Sequence, residues 1–147
     1  MFIRRSRGYV PQGLIVDLGD EPILALGPET GLTFSLYADG RITPSQHIGS
    51  VDNLETYGFL QEATDHLSNL LGIPKPGIVA CDLHPRFITS RLAVELGERL
   101  SARLVRVQHH IAHLLSVMVE KGIGAAVGIV LDGYGYGLDG SAWGGEI

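Results

Sequence analysis

Apolar positions alternate in short runs through the first third of the chain and then recur at helical spacing. Ile23-Leu24-Ala25-Leu26 is an apolar run halted by Gly27-Pro28, which predicts a buried strand and a turn. Residues 32–37 alternate apolar and polar and are rich in β-formers, and Asp39-Gly40 supplies the reversal into a third strand through residues 42–48. After Asn53, an N-cap residue type, Leu54, Tyr57, Leu60, Ala63, Leu67, Leu70 and Leu71 form a helical stripe. Gly72, Pro74 and Pro76 stop it. A strand over 78–82, a loop at Leu83-His84-Pro85, a helix over 88–100 and a strand over 104–107 follow. A histidine-bearing helix begins directly afterwards, and residues 125–131 read as one more buried strand.

The predicted order is β-β-β-α-β-α-β-α, then a new strand and a glycine-rich turn. Meandering strands followed by crossover helices imply an α/β fold with a mixed sheet, parallel in one half. This order matches the repeated lobe of actin-like, ribonuclease-H-like folds. Residues 1–21, with weak periodicity, read as a linker tail, 22–123 as the first lobe, and 124–147 as the opening hairpin of a second lobe.

Composition narrows the function classes. An apolar fraction of 45% fits a packed globular chain, and a net charge of −5 argues against a nucleic-acid surface. Arg4, Arg5 and Arg7 are the only local basic cluster, and the longest run of apolar residues and glycine is too short to span a bilayer. The single cysteine, Cys81, excludes an internal disulfide and fits a reducing cytoplasm. Its apolar neighbours make it a buried strand residue rather than a reactive thiol.

The candidate chemistry lies late in the chain, in Gln108-His109-His110-Ile111-Ala112-His113 and the segment after Leu131. His109 and His113 share a helix face, and Asp132 ends an apolar run as a carboxylate at a strand tip. Two imidazoles and a carboxylate suit zinc or iron(II). Gly133, Gly135, Gly137, Gly140, Gly144 and Gly145 would let backbone N–H groups approach phosphate oxygens. Without a metal, the same residues read as partly exposed histidines beside a hairpin turn.

The segments Ser45-Gln46-His47-Ile48-Gly49, Asn53-Leu54-Glu55-Thr56, Ala80-Cys81-Asp82-Leu83-His84-Pro85, 107–113 and 131–146, together with Arg4 to Pro11, resemble the HypF family of carbamoyltransferases of NiFe-hydrogenase maturation. The resemblance implies the first lobe of an actin-like carbamoyltransferase domain. It implies chemistry in which carbamoyl phosphate and ATP give carbamoyl-adenylate, with transfer to the C-terminal cysteine of a partner maturation protein. By position, His109, His113 and Asp132 match the family's metal ligands, with a fourth aspartate from the second lobe. The glycine segment would line the nucleotide phosphates, magnesium being a further cofactor. The remaining domains of a full-length protein would be additional partners, and an isolated lobe is expected to be inactive.

Some positions depart from the family pattern. Glu29-Thr30-Gly31-Leu32-Thr33 stands where the family has Glu-Leu-Lys-Asn-Thr, Ile111 interrupts a triple histidine, and Tyr134 replaces a threonine. His110, His84 and Glu29 are candidate substrate contacts, set against surface, strand-end and exposed-loop readings respectively. Trp143 reads as core or platform, Asp139-Gly140 as a turn, and His66 as structural. The rival functions are a magnesium-dependent actin-like ATPase or kinase and a degenerate lobe that docks a partner. Dimerisation through the hairpin at 138–147 is a further expectation.

Overall fold

The computed structural model describes residues 13–147. The arginine cluster, the Arg4–Pro11 segment and most of the tail lie outside the described residues. A six-stranded sheet runs in the order β1-β4-β3-β2-β5-β6. Its meander comprises β2 (Ile23–Leu26), β3 (Phe34–Ala38) and β4 (Arg41–Pro44), paired antiparallel. β5 (Ile78–Asp82) and β6 (Arg103–Val107) extend β2 in parallel, each reached through a helix. At the other edge β1 (Leu14–Ile15) pairs with β4, so residues read as a linker contribute a short strand.

The hairpin between β3 and β4 turns at Asp39 and Gly40, both with positive φ (49° and 72°), as a tight two-residue reversal requires. In β2, Leu24 and Leu26 point to one buried side while Ile23 and Ala25 are half-buried, the alternation of a strand with one covered face. That side joins Phe34, Leu36, Val79 and Cys81 with residues of α1 (Leu54–Leu70) and α2 (Ile88–Leu100) in one core. Burial also pushes the Cys81 thiol pKa up, as a packed strand residue behaves.

Asn53 caps α1, its Oδ1 accepting from the Thr56 N–H at 2.8 Å. The apolar stripe of this helix is narrower than its spacing predicts. Leu60 and Leu67 are buried, whereas Leu54 and Leu70 are exposed because they lie at the helix ends, beyond the sheet's cover. α2 ends with Ser101 in the left-handed region, and α3 (His109–Lys121) ends at Gly122, φ 64°.

β7 (Val130–Tyr136) and β8 (Ala142–Glu146) form a separate two-stranded sheet. The expectation of a buried strand over 125–131 is corrected here. The strand starts five residues later, and Val127, Ile129 and Leu131 are exposed, since among the described residues nothing packs over them. An apolar run reports what a segment prefers, not whether a cover is present.

Candidate metal centre

The site lies at the carboxyl ends of β5 and β6, where open α/β sheets place ligands. β5 delivers Asp82, and β6 runs directly into α3, whose first turns carry His109 and His113 on one face. β7 brings Asp132 across to them. Asp132 is inside this strand rather than at its tip, because the strand continues to Tyr136.

The three side chains converge. Nε2 of His109 stands 2.9 Å from Asp132 Oδ2 and 3.2 Å from Nε2 of His113, and His113 Nε2 lies 3.4 Å from the same carboxylate oxygen. One ligand atom from each residue lies within 4.8 Å of the other two. A tetrahedral ion with arms of about 2.0–2.1 Å sets its ligand atoms about 3.3 Å apart. These donors are therefore spaced as neighbouring corners of such a tetrahedron, and their nitrogen and oxygen chemistry fits zinc or iron(II).

Asp82 holds the other side of His109. Its Oδ2 is 2.9 Å from His109 Nδ1, and its Oδ1 accepts from the His84 N–H at 2.8 Å. The hydrogen bond with Asp82 raises the His109 pKa, opposed by burial and aided by the charges of Asp82 and Asp132. Burial works to raise the Asp82 pKa, but bonds from His109 and the His84 N–H together prevail and the net shift is downward. Burial likewise opposes, and the Gly133 N–H and the imidazoles outweigh it, in lowering the Asp132 pKa.

His110, a candidate substrate contact, has a different task. It is buried at 3% exposure, and its Nε2 lies 2.8 Å from the Gly144 carbonyl. Its Nδ1 faces the Gln108 amide at 3.0 Å, so the ring is the Nε2–H tautomer, donating to Gly144 and accepting from Gln108. With both nitrogens occupied, it anchors β8 to α3 and has no group left for a substrate. Gln108 also caps α3, its Oε1 accepting from the Ile111 N–H at 2.9 Å. In the sequence Gln108 belongs to the histidine segment without a role of its own, a polar residue directly ahead of the helix being its only signal.

Glu29 likewise has a partner within the chain. Its Oε1 accepts from the N–H of Ile88, the first residue of α2, whose N-cap Phe87 has no side-chain cap bond. The carboxylate thus serves a helix N-terminus from another loop. His84 is buried, stacked on Phe87 with ring centroids 4.1 Å apart, and edge-on to Tyr136 at 5.2 Å and Tyr134 at 6.1 Å. It packs the loop after β5 against the hairpin. His47 and His66 are exposed and far from this cluster in the chain.

The six glycines do not form one loop. Gly133 and Gly135 lie in β7, Gly144 and Gly145 in β8, and only Gly137 and Gly140 in the connection. The Gly137 and Gly140 N–H groups bond within that connection, and those of Gly133 and Gly144 donate to the Asp132 and Glu146 carboxylates. Asp139 Oδ1 accepts from the Ser141 backbone and hydroxyl and from the Trp143 indole, which makes it turn chemistry. A groove of about 420 Å³ along α3 and the start of β7 opens directly onto His113 and Asp132.

Comparison with known proteins places the fold and the family. Residues 19–120 match the family model described as the HypF Kae1-like domain. The chain is 38% identical over its whole length to a probable carbamoyltransferase HypF of Methanocaldococcus jannaschii, of which it covers 20%. It is 44% identical, over 99% of its length, to the carbamoyltransferase HypF of Rhizobium leguminosarum bv. viciae, covering 19% of that protein. It thus spans about a fifth of the length of these curated relatives. The crystal structure of T. kodakarensis HypF superposes with a TM-score of 0.89 at 42% identity, covering 98% of this chain and 19% of that one. A structure described as full-length HypF in the phosphate- and nucleotide-bound form superposes at 0.83 with 32% identity, covering 93% and 21%. The mixed sheet with its crossover helices is the Kae1-like, actin-like lobe of those proteins.

Proposed function

The chain belongs to the HypF family, and on that premise we propose that it supplies the metal-binding lobe of an ATP-dependent carbamoyltransferase. In the complete protein the reaction runs from carbamoyl phosphate and ATP through carbamoyl-adenylate to a cysteine of a partner protein. Relatives named carbamoyltransferase HypF at 38% and 44% identity support the reaction class. The structural relative described as phosphate- and nucleotide-bound supports the nucleotide.

The observation that carries this reading is the convergence of His109 Nε2, His113 Nε2 and Asp132 Oδ2 at 2.9–3.4 Å from one another. These residues would hold zinc or iron(II), with a further position open to an aspartate of a following lobe. A bound divalent ion supplies positive charge to phosphate oxygens and to the departing AMP. The chain's own residues do the positioning. Asp132 and His113 line the groove beside α3, and the His110–Gly144 bond holds β8 on the same helix. The groove lies within the size range of small-ligand sites.

The test uses the full-length protein and its His113→Ala and Asp132→Ala variants. Metal content by mass spectrometry and carbamoyl-phosphate-dependent pyrophosphate release from ATP should fall together. Variants that lose the metal yet keep full pyrophosphate release would refute the role. The 147-residue chain alone is expected to bind metal without turning over.

A further inference from the structure

Asp82 lies at the end of β5, in the segment Ala80-Cys81-Asp82-Leu83-His84-Pro85, and is none of the three residues whose donor atoms converge. We propose that Asp82 is a positioning residue that fixes the tautomer and ring orientation of His109, and so decides whether Nε2 is available to a metal. The inference rests on the metal reading above and adds to it the group that makes the histidine competent.

The geometry carries the argument. His109 has two ring nitrogens, and only the one without a proton can ligate. Asp82 Oδ2, 2.9 Å from Nδ1, is an acceptor that keeps a proton on Nδ1, so that an ion taking Nε2 in place of the Asp132 contact at 2.9 Å finds its lone pair free. Nε2 is the atom that faces Asp132 and His113. The carboxylate is itself held in place, since the His84 N–H donates to Oδ1 at 2.8 Å and the residue is 7% exposed. His84 in turn is wedged by Phe87, Tyr134 and Tyr136. An acceptor fixed in this way behind a metal-ligating imidazole also makes the ring a better electron donor.

The His84 N–H makes the inference testable by an isosteric change. In Asp82→Asn the amide oxygen must take the Oδ1 place, because a backbone N–H points at it. The amide NH₂ then faces His109 Nδ1, which can only accept. The ring is driven to the Nε2–H tautomer, with a proton where the ion should be. Asp82→Ala removes the acceptor without imposing the wrong tautomer. A merely structural carboxylate predicts the opposite order, with the isosteric amide the milder change.

The experiment measures zinc affinity of the 147-residue chain by competition with a chromophoric chelator, for the wild type, Asp82→Asn, Asp82→Ala and His113→Ala. It also records nitrogen chemical shifts of labelled His109 in the metal-free proteins. The expected results are zinc binding about 10–100-fold weaker in Asp82→Asn, a smaller loss in Asp82→Ala, and loss of the proton from Nδ1 of His109 in Asp82→Asn. Equal affinity in the wild type and Asp82→Asn, or a proton retained on Nδ1 in Asp82→Asn, overturns the role of Asp82. Absence of zinc binding by the wild type, or an undiminished affinity in His113→Ala, sinks the metal reading instead. The tautomer measurement still decides what Asp82 does to the ring.

Discussion

Gly135 stands against the ring of His110 so closely that a β-carbon on it would lie 2.4 Å from Cε1 and 2.6 Å from Nδ1. The backbone there has no positive φ, so space rather than conformation demands glycine. Gly135→Ala must push the ring aside and break its bonds to Gly144 and Gln108. Overpacking of this kind costs about 1–3 kcal/mol. Hydrogen exchange should show the loss in β7 and β8, while amides of β2, β3 and β5 keep their protection. Unchanged protection in the hairpin would contradict the anchor assigned to His110.

Much of this architecture is written in local pattern. The capping role of Asn53, the Asp39-Gly40 reversal and the span of α2 follow from residue type and spacing, and each depends on neighbours within a few positions. The i, i+4 relation of His109 and His113 is local in the same sense. What could not be read are contacts between distant segments. Glu29 meets Ile88 across 59 residues, His110 meets Gly144 across 34, and Asp82 meets His109 across 27. The first two are open to a substrate reading from sequence, and the folded chain gives each a partner of its own. The exposure of residues 127–131 escaped for a related reason, since their apolar pattern does not reveal what lies over them.

The position of Glu29 gives a direct stability prediction. Glu29→Ala takes away the side-chain acceptor for the Ile88 N–H and a negative charge at the positive end of α2. Losses of helix N-terminal acceptors cost about 1 kcal/mol. Denaturant unfolding should detect that decrease, with zinc affinity unaltered because Glu29 touches none of the ligands. Unfolding unchanged by the substitution would contradict the helix-capping role given to Glu29.

The pKa shifts around His109 set the pH dependence. In the metal-free chain the ring lies between Asp82 and Asp132, and its raised pKa means that protonated His109 favours the folded state. That contribution is complete below the ordinary imidazole range and disappears as pH rises through the folded value above it. The lowered pKa of Asp82 acts in the other sense, its contribution present above the ordinary carboxylate range and lost as pH falls through the depressed value. Between those limits the metal-free pair contributes its full stabilisation. A metal must displace the Nε2 proton, so affinity should climb with pH up to the His109 value and then level off. Calorimetric titration in buffers of different ionisation enthalpy should find about one proton released per ion on the acidic side. Release that does not change across this range would show that His109 is not a ligand.

The last prediction concerns the surface that residues 127–131 leave open. Val127, Ile129 and Leu131 are 87%, 72% and 84% exposed, and half-exposed Val117 of α3 lines the same groove as Ile129 and Leu131. Apolar residues clustered in this way mark association surfaces. β7 and β8 pair only with each other among the described residues, so each has a free edge next to the patch. The 147-residue chain should therefore self-associate through this hairpin region. Burying one such side chain is worth about 1.5–3 kcal/mol, and about 1.4 kcal/mol is a factor of ten in affinity. Ile129→Lys should accordingly weaken the association by about tenfold or more. Because Ile129 is exposed, the midpoint of thermal unfolding measured at low protein concentration should not move. Analytical ultracentrifugation over a range of concentrations separates the possibilities. A wild-type chain that stays monomeric throughout would remove the hairpin region as a self-association surface, leaving the metal centre and its test on Asp82 untouched.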